Sequence, residues 1–247
     1  VIAQESAWGD SSSRHFIFGS AESQLLSATN PANNLFAFLI FAKVRAGMKK
    51  LLLALIAFYA VWWIFFRDAP APAAGVRANA IPEQTTTDAP AWTKGDYEIQ
   101  PLARYHITAR VLGKKRYRFD NVSDLAPVDL ALGWRGMSDS AALEHFSITQ
   151  SARWYEYLYD AGCPLSAGEI VAESANVHCL PADEDVASTL KGVRRNAFVE
   201  LKGFLVEVRH EGRPPWRSSL VRNDSGNGSC EIFWIEDADE IPAPQLK

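Results

Sequence analysis

The sequence predicts an α+β protein: a single N-terminal transmembrane helix followed by a mainly antiparallel, partly closed β domain with two or three short helices, of which an OB-like barrel is one form. Three observations predict it. Residues 51–66, from Leu51 through Tyr59 to Phe66, contain neither a charge nor a glycine. The Ala/Pro/Thr-rich stretch that follows lacks the apolar side chains needed to order itself. Beyond it, several runs alternate apolar and polar residues with the period of two that a half-buried strand requires.

The apolar run comes first. At about 1.5 Å per residue it reaches about 24 Å, short of the roughly 30 Å hydrocarbon core, with flanking residues and local thinning completing the span. Trp62 and Trp63 sit near its end, where indole rings favour the headgroup boundary, and Lys43, Arg45, Lys49 and Lys50 precede it, against Arg67 alone immediately after. That asymmetry places the N-terminus in the cytoplasm and the C-terminal domain in the periplasm of a bacterial inner membrane. A cleaved secretory signal competes, because Ala71 and Ala73 are small. The length of the run and the bulky Trp-Trp-Ile-Phe-Phe before Arg67 favour an uncleaved signal anchor.

Met48-Lys49-Lys50 reads as the start of a membrane-targeted protein, so residues 1–47 are expected to be a leader or upstream translated sequence without regular structure. The anchor then occupies 48–67. An Ala/Pro/Thr-rich tether fills 68–91, its prolines keeping it extended. A β-rich domain occupies 92–236, and an acidic tail containing Pro242-Ala243-Pro244 fills 237–247.

Charge narrows the partners. Residues 92–247 hold 18 Lys/Arg and 23 Asp/Glu, a net of −5. Such a domain lacks the basic footprint of a nucleic-acid binder, and no nucleic-acid partner is expected. The expected partners are the lipid bilayer, through residues 51–66, and an envelope protein. Cys163, Cys179 and Cys230 permit one disulfide at most, Cys163 and Cys179 being the local pair, but sequence alone does not assign a connectivity. No Cys-x-x-Cys or paired-histidine spacing occurs, so neither a metal site nor a cofactor is expected.

Within the domain, residues 104–112 alternate Tyr105, Ile107, Ala109 and Val111 with His106, Thr108 and Arg110, which is a strand. Gly113-Lys114-Lys115 follows as a turn. Residues 124–136, with Pro127 and two glycines around Trp134, read as an ordered loop. Residues 139–146 suit one or two helical turns, and 148–155 alternate as a strand that continues into Tyr155, Tyr157 and Tyr159. That aromatic ladder suits base stacking or cross-strand packing, and the acidic balance favours packing. Ser166-Ala167-Gly168-Glu169 is a capping box opening a helix to about Ala175. Residues 176–180 are extended and end at Pro181. Asp183, Glu184 and Asp185 open a second helix whose Val186, Leu190 and Val193 share a face.

Residues 197–210 carry the strongest strand signal. Val199 and Leu201 alternate in one phase and Phe204, Val206 and Val208 in the other, with Gly203 at the change, which predicts a bulge or sharp bend of the kind that closes small barrels. Residues 216–221 and 230–235 flank Asn223-Asp224-Ser225-Gly226-Asn227-Gly228 and read as a hairpin.

The candidate chemistry is sparse. Asn176 and His178 share one face of an extended segment and Cys179 takes the other, so Cys179 and His178 do not meet as a nucleophile pair. His178 as base, Ser218 or Ser219 as nucleophile and Asp224 as orienter satisfy a triad in kind, without a Gly-x-Ser-x-Gly elbow. The competing reading makes His178 structural, Ser218 and Ser219 ordinary strand positions, and Arg222 the partner of Asp224 in the turn. Asn176 and Arg222 are the candidate binding residues.

At residues 129–134 (Asp-Leu-Ala-Leu-Gly-Trp), 174–178 (Ser-Ala-Asn-Val-His), and Trp216-Arg217-Ser218-Ser219 through Gly228-Ser229-Cys230-Glu231, the chain resembles uncharacterised bacterial proteins with an N-terminal membrane anchor. The resemblance covers about residues 48–236. It implies the anchored topology and a start at Met48, and it carries over no catalytic residue. The function expected from the sequence is a single-pass, membrane-anchored periplasmic binding or assembly domain; the alternative is a membrane-tethered hydrolase using His178 with Ser218 or Ser219.

Overall fold

A computed structural model describes residues 31–222, 226 and 228–244, and of residues 31–42, 46 and 64–66 the backbone alone. The chain divides into two units, residues 1–64 and 65–247. In the first, a long helix, α1 (Pro31–Phe66), takes in the apolar run and begins well before Met48. Its proline suits a first helical turn, where the missing N–H has no partner to lose. Leu51, Leu53, Phe58 and Trp63 are at least half exposed. Among the described residues no helix is long and apolar enough to cross a membrane.

The second unit is a mainly antiparallel, β-rich α+β domain. It contains β1 (Glu83–Thr85), β2 (Trp92–Lys94), β3 (Tyr97–Arg116), β4 (Val128–Gly133), a 3-10 turn (Arg135–Ser138), α2 (Ser140–Leu143), β5 (Phe146–Ser151) and β6 (Trp154–Tyr159). These are followed by α3 (Ala167–Ala172), β7 (Ser174–Pro181), α4 (Glu184–Gly192), β8 (Phe198–His210), β9 (Trp216–Arg217) and β10 (Glu231–Ile241). β3 pairs with β4, β4 with β7 and β10 with β8, all antiparallel, while β7 and β10 run parallel. β8 returns to β3 over most of its length, which closes the five strands into a ring.

Alternation builds the core. Tyr105, Ile107, Val111, Leu130, Val177, Leu201 and Phe233 meet in one buried cluster, joined by Val186 and Leu190 from the apolar face of α4. Two further clusters lie on the outside of the ring. One gathers Ile99, Phe204, Val206, Ile232 and Trp234 under Trp92 and Trp216. The other gathers Leu112, Ala131, Met137 and Ile170 under the hairpin β5–β6, with Tyr155 and Tyr157 packed on it. The tyrosine ladder thus packs for two of its three rings, and Tyr159 is 46% exposed.

Gly203 marks a bend, at φ +154, opposite the point where Glu236 stands as an extra residue in β10. The phase change read from the sequence has a different cause, because Leu205 remains in the inner cluster and Phe204, Val206 and Val208 are buried by the second, outer one. Gly113 likewise is not a turn. The strand bulges at the preceding residue and runs on to Arg116, and a Cβ on Gly113 would lie 2.7 Å from Gln150 Oε1 of the overlying hairpin.

Other local expectations shift for similar reasons. Residues 128–133 form β4, every residue buried, rather than a loop; a strand covered on both faces loses the polar alternation that would reveal it. A two-residue turn at Ala152 and Arg153 divides β5 from β6, without glycine to announce it. The segments around the Asn/Gly loop do not form a hairpin: β9 pairs with β8, and β10 lies between β7 and β8. β10 also continues through the acidic residues to Ile241, with Ala238 in the core cluster.

The Ala/Pro/Thr-rich stretch is extended, and the domain supplies the partners its own composition lacks. Ala69 N donates to Arg195 O, Ala78 N to Ser138 Oγ, Gly75 N to Asp139 Oδ1, and β1 pairs with β3. Both predicted helix starts are capped as expected, by Ser166 with its Glu169 box and by Asp183. Cys163, Cys179 and Cys230 are all free thiols.

Candidate functional site

The outward faces of β4, β7 and the start of β10 carry the most unusual chemistry in the domain. Along a strand successive side chains alternate, so Asp129 and His178 point out of the ring while Leu130, Val177 and Cys179 point in. The register sets Asp129 opposite His178 and His178 opposite Ile232. Cys230 immediately precedes β10, near the outward Asn176. Cys179 faces the interior, on the opposite side of β7 from His178, as the alternation requires.

His178 Nδ1 lies 3.0 Å from Asp129 Oδ2, with side chains 5% and 1% exposed. The alignment misses that of a hydrogen bond, so the contact is a close ion pair. Asp129 Oδ1 accepts from Arg153 Nη1 at 2.8 Å. Arg153 arrives from the β5–β6 turn, where Ala152 and Arg153 take φ of 48 and 71, a left-handed conformation that side chains other than Asn, Asp or Gly rarely adopt. Its Nε and Nη2 donate to both oxygens of Asp120 at 2.9 Å, its guanidinium stacks on Tyr117 at 3.9 Å, and its backbone N–H donates to the Tyr117 hydroxyl.

Burial of these groups is offset by their mutual charge. Desolvation disfavours a charged His178, but Asp129 and the Cys230 side chain outweigh it and raise its pKa to about 9. Desolvation likewise acts against the charge of Arg153, and Asp120 and Asp129 override it. The Trp216 ring lies 4.9 Å from the imidazole. Together His178, Arg153, Cys230, Trp154, Trp216 and Ile232 wall a cavity of about 360 Å³.

Asn176 belongs to this site. Its Oδ1 accepts from Gln150 Nε2 at 3.0 Å, and its Nδ2 donates to Arg153 O at 3.0 Å and lies 3.6 Å from Cys230 Sγ. The serines are placed otherwise. Ser218 Oγ donates to Ser219 O and accepts from Ile232 N, while Ser219 Oγ bonds with the backbone of Val221. Neither lines the cavity. Arg222 pairs with Glu231 and donates to Gln84 Oε1 at 2.8 Å, which occupies it away from the His178 cavity. Asp224 lies outside the described residues.

Asp129, Arg153 and Cys230 are the residues that sequence reasoning missed. A charged Asp129 inside the run Val128, Leu130, Leu132 was the one available signal, since a carboxylate in a fully buried strand requires a partner. Arg153 and Cys230 reach the site through a cryptic turn and a parallel strand pairing, neither of which has a local signature. Among the described residues no His, Cys, Asp or Glu grouping is suited to a metal ion. No family model matches the chain, and neither a curated protein nor a solved structure does.

Proposed function

We propose that the chain is a membrane-tethered binding protein whose OB-like barrel takes a glycan ligand in the cavity beside His178. The observation that carries this reading is the order of the ring. Counting from β3, the second and third strands are β4 and β7, the loop 117–127 joins the first two, and 211–230 joins the last two. Barrels of this OB-like order present the face of strands two and three, and these two loops, to oligonucleotides and oligosaccharides. The cavity occupies that face, with Val122 from one loop and Trp216, Arg217 and Gly228 from the other. The acidic balance disfavours phosphates, whereas the Trp154 and Trp216 rings offer flat apolar surface to sugar rings. The place on the fold is an analogy and the ligand class rests on the lining residues.

The tether reading rests on the uncharged run at 51–66, which is apolar on every side and so has no polar face to present to water. A cleft of about 850 Å³ in the domain adds to it, because Arg67, Lys115, Lys191, Arg194 and Arg195 line it and Arg67 follows the run directly in sequence. Such a cleft suits the headgroups of anionic lipids. The orientation, with the domain periplasmic, follows from the lysines and arginines before the run. The hydrolase alternative through Ser218 or Ser219 lacks comparable support, since both hydroxyls are committed to backbone groups.

Two measurements test the reading. The full chain should sediment with membranes in high salt and be released by detergent; release by salt alone would remove the anchor. Calorimetry with soluble cell-wall glycan fragments should show binding that Trp216→Ala weakens, and binding unaffected by that change would move the ligand elsewhere.

A further inference from the structure

The grouping at the cavity also has the elements of a nucleophilic centre. A nucleophile needs a base within reach and a third group to orient that base. Cys230 is a partly exposed thiol at the cavity wall, His178 lines the same wall with Cys230 among the groups acting on it, and Asp129 Oδ2 lies 3.0 Å from Nδ1 of that ring. Asp129 is fixed in turn by Arg153. Asn176 completes the set: one N–H of its amide is committed to Arg153 O, while the same nitrogen faces Cys230 Sγ at 3.6 Å. That places a neutral donor beside the sulfur, where a carbonyl under attack would develop negative charge.

We propose that Cys230 is a nucleophile toward activated acyl groups, esters or thioesters, with His178 as the imidazolium partner of its thiolate and Asn176 as a donor to the oxyanion. His178 already holds the proton as an imidazolium, and Cys230 attacks as the paired thiolate as the Sγ–carbon bond forms. The tetrahedral intermediate then collapses with loss of the alcohol or thiol, which leaves carrying that proton. Water, deprotonated by the now neutral His178, attacks the resulting thioester and releases the carboxylic acid, and Cys230 leaves as a thiolate beside the restored imidazolium. Asp129 and Arg153 are positioning residues, acting through the imidazole. The cavity, bounded by Trp154 and Trp216, receives the apolar part of the acyl donor.

This inference shares the cavity with the glycan reading but does not depend on it. The test uses the full chain in detergent with two probes, iodoacetamide and p-nitrophenyl acetate, followed by peptide mass mapping. Iodoacetamide should modify Cys230 well before Cys163, a comparably exposed thiol that donates to Leu165 O, with a rate advantage of about thirtyfold for a thiolate over the few per cent present in an ordinary thiol at pH 7. p-Nitrophenyl acetate should leave one acetyl group on Cys230, with a burst of p-nitrophenolate that Cys230→Ser abolishes and His178→Gln slows. Alkylation of Cys230 no faster than of Cys163 overturns the proposal, and because it is read on the unaltered chain, misfolding of a variant does not cloud it. Glycan binding with a sluggish Cys230 would defeat this inference alone, and a reactive Cys230 without glycan binding would defeat the ligand reading alone.

Discussion

Arg153 Nη1 and Asp129 Oδ1 are 2.8 Å apart, joining the tip of an inserted hairpin to a carboxylate that is 1% exposed on a ring strand. A buried charge pair contributes modestly as a whole, but deleting one member strands the other in a poorly solvated place. Arg153→Met should therefore cost about 3 kcal/mol of unfolding free energy, measured by urea titration. Adding Asp129→Asn should cost clearly less than the sum of the two single changes, because each single change already removes the contact they share. Additive costs would show that the pair is not coupled.

His178 makes stability depend on pH in an identifiable window. Its folded pKa of about 9 lies above its ordinary 6.5, so the ion pair contributes fully below about 6.5 and is lost as pH rises through 9. The contribution is about 3 kcal/mol at most, from 1.36 kcal/mol per unit. Asp129 and Cys230 are the groups against the ring, with Arg153 and Arg217 also at the cavity. Lys114 acts in the opposite sense. Burial, with Arg116 beside it, lowers its pKa to about 8, so its penalty fades as pH rises from 8 toward 10.5. The effect of His178 is thus best read as the difference between wild type and His178→Gln in thermal unfolding from pH 6 to 10, which should shrink across that range. A constant difference would place the charge of His178 elsewhere.

Elements with strong local signals were legible in the sequence. The capping box at Ser166 and Glu169, the helix opened by Asp183, and the long strand through Gly203 depend on residues close together in the chain. What escaped was set by contacts between distant segments. β4 is buried on both faces and so shows no alternation, while β10 is identified as a shared neighbour of β7 and β8 only once the ring closes. The site divides in the same way: Asn176 and His178 were readable as one face of a strand, whereas Cys230 joins them across a parallel pairing 54 residues from Asn176.

Gly203→Ala should damage the ring more than an ordinary strand substitution. A Cβ there would sit 2.0 Å from Trp234 O, a backbone atom that no rotamer change can move, and the φ of +154 is itself unfavourable for alanine. The expected loss is about 3 kcal/mol or more, visible as a lower thermal midpoint. A loss under about 1 kcal/mol would mean that β8 and β10 slide apart at the bulge with little resistance.

Ser218 separates structure from chemistry. Its hydroxyl is the partner of the buried Ile232 N–H and donates to Ser219 O. Ser218→Ala leaves that amide unsatisfied, which costs about 2 kcal/mol, measured by denaturant unfolding. The rate at which iodoacetamide modifies Cys230 in the folded protein should change little. Loss of p-nitrophenyl acetate turnover with intact stability would instead restore Ser218 as a nucleophile.

Asp139 controls how residues 69–78 are held to the domain. Its carboxylate, 4% exposed, accepts from Gly75 N at 2.9 Å, from Arg77 Nε at 2.6 Å and from Ala141 N at 3.0 Å as the cap of α2. Burial opposes its charge, but the Gly75 and Ala141 amides and the Arg77 guanidinium prevail and hold its pKa below the usual carboxylate range. Its contribution is therefore present above the ordinary carboxylate value and is lost as pH falls through its lowered one. Asp139→Ala removes the cap and the two strap contacts together, a change worth about 2 kcal/mol. The strap should then loosen before the barrel does. Trypsin cleavage after Arg77 should accelerate in the variant while the ring of strands stays protected, and equal cleavage rates in the two proteins would show that β1 and the Ala78–Ser138 hydrogen bond hold the strap without Asp139.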